Sequence, residues 1–167
     1  MFMTRRSLAA ALFAAPLLSR ARDSQAQQEG PFLRVSGRIA GAWPDGVARF
    51  DRSALEGPGW TGFSTTTPWH NGATRFDGIR MADLMKTAGA AGDTAVATAL
   101  NDYETKIPIS DFQRFNVILA MKKNGEYMPV RDKGPFFIVY PYDSDPQLKS
   151  QQYFSRSAWQ LARLTIV

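Results

Sequence analysis

The chain contains no cysteine and only one histidine among its 167 residues. Without a thiol it has no disulfide framework, no thiolate nucleophile and no thiolate metal ligand, so its hydrophobic core alone must hold the fold. Long apolar runs are scarce: Leu8 to Leu18 is a run of 11 residues, too short to span a bilayer. No zinc-ligand spacing, phosphate-binding loop, nucleophile elbow or G-x-G-x-x-G occurs. Ser64, Thr65, Thr66 and Thr67 are a row of hydroxyls with no evident base, which gives nucleophilic catalysis little support. Charge of one sign is also limited. The formal net charge is +5, but residues 1–26 hold Arg5, Arg6, Arg20 and Arg22 against Asp23, which leaves +2 for the remainder. With no Lys/Arg stripe, that balance argues against nucleic acid as a partner.

What is present begins with a targeting pattern. Arg5-Arg6 form a basic start, Leu8 to Leu18 an apolar stretch, and Ser24-Gln25-Ala26 a small-x-small cleavage site. Residues 1–26 are therefore expected to be an export signal, either Sec or twin-arginine, the latter because Thr4-Arg5-Arg6-Ser7 resembles a twin-arginine start. Residues 27–167 form one domain, expected in the periplasm with no transmembrane segment in the mature chain.

Short strands dominate that domain. Phe32 to Ile39 alternates apolar and polar positions, Val47 to Phe50 is a second short strand, and Asp51 caps a helical turn to Leu55. Trp60 to Thr67 is β-branched and aromatic, and Pro68 to Gly72 reads as an exposed loop. Met81, Leu84 and Met85 recur at helical spacing within Arg80 to Ala88, and Gly89 closes that helix. Thr94 to Leu100 is a strand emptying into a loop over Asn101 to Thr105, and Ser110 or Asp111 caps a short helix reaching Phe115. Val117 to Met121, Asn124-Gly125 and Tyr127-Met128 make a β-hairpin with a type I′ turn. A polar loop, Arg131 to Pro135, leads into the apolar run Phe136 to Tyr140, which suits a buried central strand. Pro141 to Lys149 is an irregular loop, and the final element ends as a strand at Val167. The pattern implies an α+β fold, a mixed sheet or distorted barrel with few short helices.

Four polar-aromatic clusters fall at strand ends: Thr65 to Gly72, Asn101 to Thr105, Arg131 to Pro135 and Tyr153 to Trp159. Their convergence predicts one pocket lined by Trp69, Tyr103, Tyr140 and Trp159, with His70, Asn101, Asp102, Arg131, Lys133 and Arg156 as polar handles. Stacking faces with directional hydrogen-bonding groups suit a flat heteroaromatic ligand such as a pterin. Each of these residues also has a structural reading. A lone loop histidine is commonly structural, tryptophans commonly pack, and Arg131-Asp132-Lys133 can be a solvated charge cluster.

Several stretches together resemble the molybdopterin-binding domain of the sulfite oxidase family. They are Gly78 to Met85, Asn101-Asp102-Tyr103, Lys123-Asn124-Gly125, Lys133-Gly134-Pro135 through Pro141, and Arg156 to Leu161 with Ile166. The chain looks closest to the short, exported branch, with Thr66-Thr67-Pro68-Trp69 and Asn101-Asp102-Tyr103. In the family's enzymes a cysteine near the strand end corresponding to Ser64 to Thr67 ligates molybdenum, and this chain has none. The resemblance implies a reduced pterin held without metal by Trp69, His70, Asn101, Asp102, Tyr103, Arg131, Lys133, Arg156 and Trp159. It further implies a non-catalytic, biofilm-regulating role in which the protein reports pterin to the periplasmic domain of an inner-membrane cyclic di-GMP signalling enzyme. The alternative is a molybdopterin-dependent oxidoreductase, or an accessory subunit of one, carrying the molybdenum cofactor. A purely structural exported domain is the third reading.

Overall fold

The computed structural model describes residues 32–57 and 59–167, so the expected export signal over residues 1–26 lies outside the described residues. In chain order, strand β1 is Leu33–Gly37 and β2 is Ala48–Phe50, followed by helix α1, Arg52–Leu55. Strands β3, Trp60–Thr67, and β4, His70–Arg80, lead into helix α2, Met81–Ala88. Then come β5, Thr94–Ala99, β6, Glu104–Pro108, helix α3, Ile109–Arg114, and β7, Ile118–Lys123. The chain closes with β8, Glu126–Tyr127, β9, Phe137–Val139, helix α4, Gln151–Arg156, and β10, Leu161–Ile166.

These strands build two sheets. One has the order β2-β1-β10-β5-β6, with β1 and β10 parallel and the other neighbours antiparallel. The second has the order β3-β4-β7-β8, with β9 pairing along the remaining edge of β7. One mixed sheet, one antiparallel sheet and four short helices make the expected α+β architecture. Among the described residues no helix is long and apolar enough to cross a membrane.

Local sequence explains the elements that were expected. Ala54 N–H donates to Asp51 Oδ1 at 2.7 Å, which caps α1 and lowers the Asp51 pKa. Gly89 closes α2 at φ 72°, where an added Cβ would lie 1.9 Å from the Ala40 carbonyl oxygen. At the hairpin tip Asn124 and Gly125 have φ of 51° and 88°, as a type I′ turn requires. The apolar run of β9 is buried throughout because β7 covers its edge and the core covers its faces.

Four segments differ from expectation. Residues 70–72 are not an exposed loop but the start of β4, which pairs with β3 from Trp60↔Ile79 to Thr67↔His70. That long antiparallel ladder outweighs the weak strand preference of Asn71-Gly72. Glu104 and Thr105 likewise enter β6, an edge strand that satisfies its backbone against β5 and stops at Pro108. Residues 151–156 form α4, and α3 begins after Pro108, earlier than Ser110 or Asp111 would set it. Asp111 faces inward instead.

A very close backbone approach lies where β4 pairs with β7. A register shift between Asp77 and Gly78 brings Gly78 so close that a Cβ there would stand 1.9 Å from the Leu119 carbonyl oxygen. Neither partner is a flexible side-chain end, so Gly78→Ala must separate two core strands. It is expected to destabilise the protein by about 3 kcal/mol. Urea denaturation measures this, and an unchanged midpoint would contradict the packing described.

Candidate functional site

Three segments meet at one end of the two sheets. The first is the two-residue turn from β3 to β4. Thr67 Oγ1 accepts from Trp69 N–H at 3.3 Å and pairs with His70 Nδ1 at 2.8 Å, which fixes the turn and directs the Trp69 ring inward. The second is the β5–β6 loop, residues 100–103. Asn101 Oδ1 accepts from Tyr103 N–H at 3.2 Å, and Asp102 takes the left-handed conformation that Asp tolerates, at φ 63°. The third runs from α4 to Trp159.

Between them lies a cleft of about 340 Å³. Trp69 and Trp159 meet edge to face at 5.3 Å and 71°, and Phe154 packs on Trp69 at 6.0 Å. Tyr103 closes the rim by donating its hydroxyl to the Ser155 carbonyl at 2.9 Å. Asn101 and Gln151 add polar edges, and no charged side chain is among the lining residues. The volume is at the small end of ligand sites and matches one compact ring system.

The sequence-predicted residues divide into two groups. Trp69, Asn101, Tyr103 and Trp159 line this cleft together. Asp102, Arg131 and Lys133 are not among the lining residues; Asp102 and Arg131 are exposed, and Lys133 Nζ lies 5.2 Å from the Trp159 ring centroid. His70 is half-buried, edge-on to Phe76 at 5.6 Å. Burial lowers its pKa from the ordinary 6.5, and the positive charges of Lys123 and Lys133 lower it further against the opposing Asp132.

Arg156 and Tyr140 sit elsewhere than expected. Arg156 Nη1 donates to Asp111 Oδ2 at 2.7 Å, and the Tyr140 hydroxyl donates to the same oxygen at 2.8 Å. A buried carboxylate demands such partners, so Arg156 is a strut between α3 and α4, not a lining residue. Tyr140 is fully buried in the core, where desolvation raises its pKa far above the ordinary value. Sequence reasoning missed Gln151, Phe154 and Ser155 because α4 was not expected. The available signal was Ser150 at a favoured N-cap position before Gln151-Gln152.

The model of the family described as oxidoreductase molybdopterin binding domain matches residues 51–142, more than half of the chain. The chain belongs to this family. No curated protein matches it. The match runs from the α1 cap to Tyr142 and includes Trp69 and the Asn101–Tyr103 loop, while α4 and Trp159 lie beyond it. The chain thus carries a molybdopterin-binding oxidoreductase domain, and its cofactor class is a pterin or molybdopterin.

The donor set tests how far the cofactor fits. The aromatic cleft fits the pterin ring. The strand end from Ser64 to Thr67, where the resemblance places the metal-binding cysteine, is engaged otherwise. Thr66 donates its N–H and its hydroxyl to the Asp143 carboxylate, each at 2.6 Å. Thr65 Oγ1 accepts from Asp143 N–H at 3.1 Å, and Thr67 Oγ1 serves Trp69 and His70. Lys149, 2.7 Å from Asp143, and Thr66 together hold that carboxyl well below the usual carboxylate range. Among the described residues no three His, Cys, Asp or Glu side chains group as metal ligands. The chain therefore offers a ring site without a thiolate for the metal.

His70 yields a pH dependence. Its folded pKa is depressed, so the unfolded chain binds the proton first as pH falls below 6.5. Stability is present in full above that value and declines as pH drops through the depressed folded value. Asp51, Asp132, Asp143 and Asp145 have pKa values lowered from 3.8, so their losses come at more acid pH. Melting curves between pH 7 and 5 should show the decline in the wild type and a flatter profile in His70→Asn; identical profiles would contradict it.

Proposed function

We propose that the protein is an exported receptor for a reduced pterin that holds the ring without a protein-ligated metal and acts by reporting its presence to a partner. The observation that carries this reading is the neutral aromatic cleft beside a strand end with no thiolate. Trp69, Trp159 and Tyr103 offer the faces against which a bicyclic heteroaromatic ring packs. The carboxamides of Asn101 and Gln151 supply hydrogen-bonding edges of the kind a pterin's amide and amino groups require. With no charged lining side chain, an uncharged pterin is favoured over a phosphorylated one. The partner that the sequence resemblance implies is the periplasmic domain of a membrane-bound cyclic di-GMP enzyme.

Family membership favours a second reading, a molybdopterin-dependent oxidoreductase or an accessory subunit of one. In that case the pterin portion would occupy the same cleft, where Trp69, Asn101, Tyr103 and Trp159 would bind and orient it.

Anaerobic titration with tetrahydrobiopterin, followed by tryptophan fluorescence, tests the first reading. Saturable binding is expected, with Trp159→Ala weakening it about tenfold, the loss of one aromatic stacking face. Absence of binding by any metal-free pterin, together with binding of molybdopterin, would overturn it in favour of the second.

A further inference from the structure

Six described residues other than glycine have positive φ. Four are Asp or Asn, whose short polar side chains tolerate the left-handed region. The other two are Lys133 at φ 64° and Gln160 at φ 52°, and they meet: Gln160 N–H donates to the Lys133 carbonyl at 3.0 Å. Trp159 directly precedes Gln160, and its ring faces Lys133 Nζ at 5.2 Å. Two strained residues therefore bracket one wall of the cleft. Backbone strain persists where the surroundings over-determine it, and it concentrates at ligand clamps.

Gln160 makes two further hydrogen bonds. Its carbonyl accepts from Leu100 N–H at 2.9 Å, and its Nε2 donates to the Val130 carbonyl at 2.7 Å. One residue thus joins the loop that supplies Asn101 and Tyr103, the loop that supplies Lys133, and Trp159. Leu100 and Val130 are 55% and 50% exposed, so these bonds tie surface loops and seal no core. Their consequence is where the loops stand.

We propose that Gln160 is a positioning residue of the cleft, holding the Trp159 ring and the Asn101–Tyr103 wall in register without itself lining the site. The ligand in this proposal rests on the pterin reading, whereas the ring geometry is independent of it. Trp69 and Trp159 form the one Trp–Trp contact among the described residues, so their exciton signal in circular dichroism reports the wall directly.

The test uses the full chain with Gln160→Glu, which keeps side-chain length and backbone strain but presents no donor to Val130. Gln160→Asn, which accepts the left-handed backbone but is too short to reach, serves if the first variant fails to fold. The expected result is a melting temperature within about 3 °C of wild type, a diminished exciton signal, and tetrahydrobiopterin affinity about tenfold weaker. Unchanged exciton signal and affinity would overturn the proposal. So would a large fall in melting temperature with affinity unchanged, which makes Gln160 a stability residue. If the wild type binds no tetrahydrobiopterin, the result bears on the pterin reading and not on this proposal, and the exciton signal alone decides the positioning role.

Discussion

Trp69 packs edge-on against four other aromatic rings, those of Phe137, Tyr142, Phe154 and Trp159, at centroid distances of 5.3 to 6.3 Å. Those rings come from β9, the segment after it, α4 and the approach to β10, so one indole ties the second sheet to the helix and strand that complete the first. Edge-to-face contacts of this kind are favourable beyond the area they bury, and they fix ring orientation as well as distance. The cleft is the open side of that aromatic cluster. Its aromatic wall is therefore continuous with the core, whereas the polar groups at its rim belong to loops.

Around this cluster the fold keeps the frame of a molybdopterin-binding domain, and its β3 strand end carries threonine hydroxyls. Asp143 grips Thr66 through two hydrogen bonds and is itself held by Lys149. The hydroxyls of Thr65, Thr66 and Thr67 are committed to structure. Arg156 is likewise committed, because Asp111 sits too deep to lack a cationic partner. The cleft is left neutral and aromatic, a surface suited to holding a ring.

Features that depend on a few adjacent residues were legible in the sequence: the Asp51 cap, the Asn124-Gly125 turn, the Gly89 helix stop and the buried run of β9. So was the meeting of Trp69, Asn101, Tyr103 and Trp159, inferred from clusters at strand ends. What the sequence concealed depends on partners distant along the chain. The first half of β4 is a strand because β3 lies beside it, and Glu104-Thr105 are strand because β5 offers a ladder. The role of Arg156 was hidden for the same reason, since nothing local distinguishes a cation aimed at a ligand from one aimed at a buried aspartate 45 residues away. The hub at Gln160 rests on positive φ in a residue type that rarely adopts it, which no propensity anticipates.

The account turns on a pterin held without a metal ligand from the protein. The most direct measurement is the bound content of the full chain isolated from its own cellular compartment, with small molecules identified by mass spectrometry and molybdenum by elemental analysis of the same sample. The account predicts a pterin close to one per chain with molybdenum at trace level. Molybdenum and molybdopterin in equal, near-stoichiometric amounts would contradict it.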